Sequence, residues 1–393
     1  MVSEPHGGTL VDLTTTRPDG ADDLPRLRLT DDEYMDLEML GTGAYSPLDG
    51  FMTRDDFDAV LDEARLDDGT PWSLPVVLSA DNGVPNEKHA LVHDDVIVGA
   101  VDVEETWEYD DERWAREVLG TTDDDHPGVQ RVRSLGETLV GGNVELYVES
   151  EEAGYERRYT PRESREEFEG RGWRSVVGFQ TRNPPHRAHE YLQKCALETV
   201  DGLFVQPLVG STKEGDVDPG VRMRAYDALL DGYYAAERVV LGTLKTPMRY
   251  AGPREALFHA LVRQNYGCTH FVIGRDHAGV KDYYGGYDAH DFLLGFEDEI
   301  GVTPLYYDFA FYCHACDGMA TEKTCGHDDE VRENPSGTYI RQTAREGGEV
   351  SEKLMRPEVW EIVREELVEE ASGREAEAKA RTAETRTGTG GSS

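Results

Sequence analysis

The sequence predicts an α/β protein in which a parallel sheet covered by helices follows a mostly β N-terminal domain. Between Trp173 and about Asp308, short apolar runs alternate with amphipathic stretches, the pattern of such a sheet. From about Pro25 to Pro161 the apolar stretches are short, strand-like and separated by Asp, Asn and Gly turns. A chain of 393 residues also suggests two or three domains with a substantial core.

The individual elements follow from these patterns. In the N-terminal part, strands are predicted at Pro75–Ser79 and His93–Asp102. The parallel strands are predicted at Ser175–Phe179, Leu203–Val209, Arg238–Leu241 and Thr269–Ile273, with Leu305–Phe309 as a further candidate. Helices are predicted at 184–200, 221–235 and 253–266, and the first has an apolar face of Ala188, Tyr191, Leu192 and Cys195. Beyond Trp360 the chain is helical and charged, and residues 372–393 have too little to bury to be ordered.

Acidic residues dominate the composition. There are 79 Asp and Glu against 40 Lys and Arg, a formal net charge of −39, and only eight of the cationic residues are Lys. Nucleic acid and anionic membranes would be repelled, so an anionic ligand needs a local basic pocket. The composition predicts adaptation to high salt, because at molar salt the Debye length falls to about 3 Å and dense carboxylates stop repelling one another. An ordinary acidic protein is the alternative.

The composition also indicates a cytoplasmic protein. The first thirty residues lack a basic start and an apolar core of signal-peptide length. No apolar run approaches the roughly 20 residues needed to cross a bilayer. Five Cys in a chain of this length do not make a disulfide scaffold.

Four predicted loops carry polar residues at the carboxyl edge of the parallel sheet, where ligands bind. They are residues 180–189, 210–216, 244–250 and 274–279, and all contain Arg, Lys or His. In so acidic a chain we interpret them as an anion pocket. The loop 210–216 is not a P-loop, because the spacing Gly-x4-Gly-Lys-Ser/Thr is absent.

The first loop is the most specific. Asn183 as N-cap and Pro184 at the first helical position predict that a helix begins there. His186 and His189 would share a face of its first turn, beside the positive end of the helix dipole, which favours phosphate. The alternatives are a packed interior His189 and a merely exposed His186.

The fourth loop, Gly274–Gly279, has glycines that allow close backbone approach to a ligand. Its Arg275 can pair with an oxyanion through two hydrogen bonds. The alternative is a plain turn in which Arg275 forms a salt bridge with Asp276 or a neighbour.

Four motifs occur in order along the chain: Gln-Thr-Arg-Asn-Pro-Pro-His-Arg-Ala-His at 180–189, Met-Arg-Tyr-Ala-Gly-Pro-Arg-Glu at 248–255, Gly-Arg-Asp-His-Ala-Gly at 274–279 and Ser-Gly-Thr at 336–338. Together they resemble the motifs of the ATP sulfurylase family. Near the N-terminus, Tyr-Ser-Pro-Leu-Asp-Gly-Phe at 45–51 resembles the Ser-Pro-Leu-x-Gly-Phe segment of that family. The resemblance covers roughly residues 25–360. Pro185 and Lys281 depart from the family pattern without touching an implied role.

The resemblance implies a PUA-like domain over 1–165 and a Rossmann-like nucleotidyltransferase domain over 166–345, with a zinc-ribbon-like insertion near 313–327. A C-terminal helical segment at 346–371 and a disordered tail at 372–393 would follow, with no fused adenylylsulfate kinase. The implied reaction converts ATP and sulfate to adenosine 5′-phosphosulfate and pyrophosphate, with Mg²⁺ accompanying ATP. The family forms homo-oligomers, so we expect a homodimer.

The resemblance also implies the roles of individual residues. Gln180, Arg182 and the backbone N–H of Ala278 would hold sulfate, and Thr181, Arg182 and Asn183 would form a catalytic strip. His186, His189 and Arg275 would stabilise charge on the α-phosphate and on the departing pyrophosphate. The implied nucleotide-binding residues are Asn183, His186, His189, Met248, Gly274, Arg275, Asp276 and His277.

A cysteine cluster predicts a metal site. Cys313, Cys316, Cys325 and His327 supply three thiolates and an imidazole, the ligand set of structural Zn²⁺. Some bacterial and archaeal members of the resembled family carry such a site at the matching place. A redox Cys-x-x-Cys, unliganded thiols, or His314 as the fourth ligand remain alternatives, and the lone Cys195 and Cys268 are expected in the core.

Two other functions fit parts of the sequence. One is a different His-x-x-His nucleotidyltransferase, acting on a phosphorylated vitamin or sugar. The other is a zinc-ribbon RNA-binding module, which the acidic composition opposes.

Overall fold

A computed structural model describes residues 2–148, 159–210 and 217–368. The chain divides into two compact units. Unit one contains residues 1–180, 196–212 and 240–307, and unit two contains 181–195, 213–239 and 308–393. The predicted tail at 372–393 and most of the predicted loop at 210–216, including Lys213, lie outside the described residues.

A seven-stranded sheet forms the N-terminal part of unit one. Its strands are β1 (Thr14–Thr15), β2 (Arg26–Arg28), β3 (Gly50–Phe51), β4 (Leu78–Ala80), β5 (Lys88–His93), β6 (Val96–Glu108) and β7 (Thr138–Tyr147). The spatial order is β1-β7-β6-β5-β2, with β3 and β4 also paired to β7. The helices of this part are α1 (Asp31–Gly41), α2 (Arg54–Glu63), α3 (Asp111–Leu119), α4 (Pro127–Arg133) and α5 (Pro161–Gly170). The predicted N-terminal β domain is confirmed.

The prediction of a single strand over His93–Asp102 is wrong. Asp94 and Asp95 have φ values of 47° and 63°, and this left-handed pair turns the chain from β5 into the antiparallel β6. Asp tolerates that conformation because its short side chain can hydrogen-bond locally, as in tight hairpin turns. The apolar run therefore belongs to a hairpin. The strand predicted at Pro75–Ser79 is also displaced and begins only at Leu78.

A five-stranded sheet follows the N-terminal part. Its strands are β8 (Val176–Phe179), β9 (Gly202–Val205), β10 (Val239–Leu241), β11 (His270–Ile273) and β12 (Thr303–Tyr306). The spatial order is β10-β9-β8-β11-β12, and the pairs β8–β9, β8–β11 and β11–β12 are parallel. The predicted Rossmann-like sheet is confirmed. The order reverses between β8 and β11, the point at which such sheets bind ligands.

The next helices are α6 (Arg187–Leu197), α7 (Pro219–Tyr233), α8 (Pro253–Asn265) and α9 (Asp288–Leu294). The predicted start of α6 at Pro184 is wrong. The first helical acceptor is the carbonyl of His186, which receives the N–H of Glu190 at 3.1 Å. A residue before proline is disfavoured in the helical region, so Pro185 keeps Pro184 out of the helix and delays its start.

Helix α8 lies in the core of unit one. Every residue from Glu255 to Asn265 is buried, and Phe258 packs edge-on against Tyr45 and Trp72 at 5.1 Å and 5.6 Å between ring centroids. These aromatic pairs join the N-terminal part to the helix that precedes β11. The loops at both ends of α8 are therefore anchored on a rigid support.

Unit two combines helices with a small sheet. Its further elements are β13 (Ala310–Cys313), β14 (Gly318–Thr321), β15 (Arg332–Glu333), α10 (Gly337–Arg345) and α11 (357–368). The strands form an antiparallel sheet in the order β14-β13-β15. The core packs α7, α10 and α11 together through Val221, Ala225, Leu229, Ile340, Ala344, Val359, Val363 and Leu367.

Candidate active site

Gln180 follows β8 directly, at the switch point of the parallel sheet. Its Nε2 lies 3.0 Å from Nδ1 of His259, and the same Nδ1 lies 3.2 Å from Nε2 of His277. His259 is fully buried in α8. The structure thus brings two predicted site residues together through a third that the sequence analysis missed. The available signal was a lone His in the apolar stretch Ala256–Val262.

The loop Gly274–Gly279 leaves β11, the neighbour of β8. Asp276 and Ala278 adopt left-handed φ values of 53° and 58°, and the N–H of Asp276 donates to the carbonyl of Gly286 at 2.7 Å. A Cβ on Gly279 would meet the side chain of Asp276. The two left-handed residues and the backbone hydrogen bond define the turn, and Arg275 and Asp276 are exposed on it.

The loop after β10 holds Met248, which packs with Leu208, Tyr250 and Val280, with Ala278 beside this cluster. The cations of this loop do not serve the predicted anion pocket. Lys245 Nζ lies 2.7 Å from Glu38, and Arg249 pairs with Asp36. Carboxylates of α1 therefore neutralise two of the cations that contributed to the interpretation of these loops as an anion pocket.

The residues Thr181–Asn183 belong to unit two. The N–H of Asn183 donates to Thr181 Oγ1 at 3.0 Å, and Arg341 Nη1 lies 3.5 Å from Asn183 Oδ1. A Cβ on Gly337 would come within 2.9 Å of the same Oδ1. The motif at 336–338 therefore begins α10 beside the side chain of Asn183.

His186 and His189 stack in unit two, with ring centroids 3.7 Å apart and an interplanar angle of 19°. Burial lowers the pKa of His186 well below its usual value, and the neighbouring His189 lowers it further. Burial also lowers the pKa of His189 to about 4. The buried Nδ1 of His186 has no hydrogen-bond partner among the described residues. Both rings are neutral near pH 7, so they would meet a phosphate as N–H donors rather than as cations.

We expect the low pKa of His189 to make folding pH-dependent. The unfolded chain binds a proton near pH 6.5 and the folded chain only near 4, so the free energy of unfolding falls as the pH drops through that window. The substitution His189→Gln should remove about 2 kcal/mol of this loss between about pH 7 and pH 5. Denaturant unfolding at both pH values measures the difference. Equal pH slopes in the two proteins would contradict the expectation.

The cysteine cluster is assembled in unit two. The Nδ1 of His327 lies 3.5, 3.3 and 3.5 Å from the Sγ atoms of Cys313, Cys316 and Cys325, and Cys316 Sγ lies 3.7 Å from Cys325 Sγ. A tetrahedral zinc ion requires S–S distances of about 3.8 Å and S–N distances of about 3.5 Å. The four side chains fit that ion.

His314, the alternative fourth ligand, points elsewhere. Its Nε2 lies 3.1 Å from Glu333 Oε2. Of the two cysteines expected in the core, Cys268 is fully buried, whereas Cys195 is only half-buried, so the expectation is confirmed for Cys268 alone.

Residues 155–366 match the family model described as ATP-sulfurylase, and residues 3–149 match one described as a PUA-like domain. The chain belongs to the ATP sulfurylase family. A curated sulfate adenylyltransferase of Halothermothrix orenii is 46% identical over 375 residues, which cover 92% of this chain and 98% of the relative. A sulfate adenylyltransferase of Thermococcus onnurineus is 45% identical, covering 93% of this chain and 98% of its own length.

A solved structure gives the same result for the fold. The hexameric APS kinase from Thiobacillus denitrificans aligns with a TM-score of 0.71 at 27% identity, covering 93% of this chain and 68% of that chain. Every site residue named above lies inside the ATP sulfurylase match. Gln180, Met248 and residues 274–278 fall in unit one, whereas Thr181–Asn183, His186 and His189 fall in unit two.

Proposed function

We propose that the chain is a sulfate adenylyltransferase, converting ATP and sulfate to adenosine 5′-phosphosulfate and pyrophosphate. One observation carries the proposal: curated sulfate adenylyltransferases are 44–48% identical to it and align over 96–98% of their own length. So full an alignment at this identity favours a shared reaction. It also favours an enzyme that transfers the adenylyl group to sulfate over a vitamin or sugar nucleotidyltransferase and over an RNA-binding module.

The chemistry requires two anions to meet. A sulfate oxygen attacks the α-phosphorus of ATP, a new P–O bond forms, and the bond to the bridging oxygen of pyrophosphate breaks in line with it. Sulfate is a weak nucleophile and carries no proton to remove, so the enzyme must cancel repulsion and hold the reactants in line. Guanidinium, imidazole and backbone N–H groups suit that task better than a carboxylate base.

The residue roles extend this proposal. Gln180, Arg182 and the N–H of Ala278 hold sulfate. Thr181, Arg182 and Asn183 form the catalytic strip, whose backbone is shaped by the hydrogen bond from the Asn183 N–H to Thr181 Oγ1. The left-handed Ala278 lies in a loop that backbone hydrogen bonds hold at Asp276 and at the Ala278 carbonyl. A preformed donor of this kind stabilises developing charge without reorganisation.

The nucleotide side uses the remaining residues. Neutral His186 and His189 donate to the phosphates, and exposed Arg275 pairs with pyrophosphate oxygens. Met248, Gly274, Asp276 and His277 line the nucleotide, and Mg²⁺, arriving with ATP, reduces the charge on its phosphates.

A sulfate-dependent assay tests the proposal. We expect purified protein with MgATP to exchange labelled pyrophosphate into ATP only when sulfate is present, because the exchange runs through adenosine 5′-phosphosulfate formed in the assay. With molybdate in place of sulfate the protein should release pyrophosphate faster, because the product is unstable. Exchange that ignores sulfate, or none at all in folded protein, would refute it. A phosphorylated vitamin or sugar in place of sulfate serves as the matched control.

We also propose a structural zinc ion at Cys313, Cys316, Cys325 and His327. The ion would tie the turn after β13 to the loop after β14, beside a small core that includes Phe311 and Ala320. Its chemistry would be structural, because four protein ligands leave no open coordination position.

Cytoplasmic location and a homodimer complete the proposal. Among the described residues, no helix has both the length and the apolar character to cross a bilayer.

For the homodimer, light scattering should give twice the mass of the chain. A monomer mass would remove the dimer from the proposal.

A high-salt requirement is part of the same proposal. With a net charge of −39, surface repulsion should destabilise the fold when the Debye length is about 10 Å and vanish when it is about 3 Å. We expect the melting temperature to rise by roughly 10 °C between about 0.1 M and 3 M KCl, which corresponds to several kcal/mol. An equal melting temperature at both KCl concentrations would contradict the high-salt requirement.

A further inference from the structure

We propose that Asp36, on helix α1 of the N-terminal part, is a positioning residue for the sulfate-binding N–H of Ala278. It acts through Arg249 and the loop 249–252. This inference rests on the proposed function and assigns the N-terminal part a role in the reaction that its match to a PUA-like domain does not suggest.

The first step is a buried ion pair. Arg249 Nη2 lies 2.7 Å from both carboxylate oxygens of Asp36, and the two side chains are 6% and 1% exposed. Arg249 Nη1 also donates to the carbonyl of Pro247 at 2.9 Å. Because the guanidinium bonds both the Asp36 carboxylate and the Pro247 carbonyl, it restrains the backbone around it. Asp36 therefore sets the position of residues 247–249.

A second contact reinforces the first. The hydroxyl of Tyr45 donates to Asp36 Oδ1 at 3.0 Å and lies 2.6 Å from Thr246 Oγ1. Both Tyr45 and Thr246 are fully buried. The N-terminal part therefore contacts the loop after β10 at two positions on either side of Pro247, namely Thr246 and Arg249.

The loop then connects to the fourth loop. Glu255, at the start of α8, accepts hydrogen bonds from the N–H groups of Arg249 at 2.9 Å and Ala251 at 3.0 Å. The next residue, Gly252, donates its N–H to the carbonyl of Ala278 at 3.3 Å. Ala278 is the residue whose N–H holds sulfate in the proposed function, so the hydrogen-bonded path runs from Asp36 to the backbone carbonyl of that same residue.

This hydrogen-bonded path gives a reason for the buried ion pair of Asp36 and Arg249. A buried ion pair adds little net stability, because desolvation of both charges offsets their attraction, and it can serve to specify one arrangement. Here the arrangement specified is a loop with left-handed residues at Tyr250, φ 59°, and Gly252, φ 49°. A shift of this loop would move Ala278, and small displacements of a binding group weaken binding or turnover.

The test compares Asp36→Asn with Glu33→Gln in the full-length protein at high salt. Glu33 lies one turn earlier on α1 and is about equally buried, but its carboxylate accepts hydrogen bonds from Thr30 at the helix start and from Ser79. We expect Asp36→Asn to raise the KM for sulfate on the order of tenfold. Glu33→Gln should lower the melting temperature and leave that KM within about twofold. The readout is sulfate-dependent pyrophosphate exchange, measured below the melting temperature of each variant.

The outcomes separate the inference from the proposed function. A wild-type protein without sulfate-dependent exchange overturns the proposed function and this inference with it. An active wild type with equal KM values for both variants overturns the inference alone. If Asp36→Asn does not fold, Arg249→Lys decides, since it keeps the positive charge but cannot bond both Asp36 and the Pro247 carbonyl as the guanidinium does: a severalfold rise in the KM for sulfate supports the inference, and an unchanged KM overturns it.

Discussion

Replacing Arg182 by Ala is expected to lower the kcat of sulfate-dependent pyrophosphate release by a factor on the order of 10² to 10³. The expected loss is that of removing one preorganised donor from a site where negative charge develops. His186→Ala should cause a loss of similar size, because it removes an N–H donor to the phosphates. Steady-state kinetics with MgATP and sulfate in molar KCl measure both.

Arg187→Ala is the matched control for this prediction. Arg187 belongs to the same motif, but its guanidinium faces the buried Glu190 at 3.3 Å and the carbonyl of Glu352. Its loss should leave kcat within severalfold of wild type. Near-normal turnover by both Arg182→Ala and His186→Ala, in protein that melts like wild type, would discredit the assigned site.

Removing the metal should destabilise the protein by several kcal/mol, because zinc bound only by the folded chain contributes its binding free energy to folding. The substitution Cys316→Ser removes one thiolate of the four-ligand set without a change of shape. We expect wild-type protein to contain one zinc ion per chain, and the variant to lose it and melt at a lower temperature. Elemental analysis and thermal melting measure the two effects.

Cys195→Ser controls for the loss of a thiol, since Cys195 lies outside the cluster. It should keep both the zinc and the melting temperature. Wild-type protein that is fully stable after prolonged chelation, with zinc content at zero, would show that the cluster is not a structural metal site.

The parallel sheet and its motifs could be predicted because their signals are local. The strands at Val176–Phe179 and His270–Ile273 are short apolar runs, and each is followed by a loop with several polar donors. Cys313 and Cys316 are three residues apart, and this spacing predicts a metal site before any fold is known. Backbone details were harder, as the start of α6 shows, since its N-cap pattern competes with the restriction that Pro185 places on Pro184.

Contacts between distant parts of the chain were not readable. The pair of Asp36 and Arg249 spans 213 residues, and nothing near either residue indicates that the charge of Arg249 is already neutralised. For the same reason His259 was missed, because its position between Gln180 and His277 exists only after α8 packs beside the sheet.

By itself, the sequence determined the fold class and the family and predicted the donors, since strand runs, loop motifs and ligand sets are written in neighbouring residues. Only the tertiary structure decided which cations are held by acids of the N-terminal part. The physical reason is that a charge acts through its surroundings, and packing sets those surroundings between residues far apart along the chain.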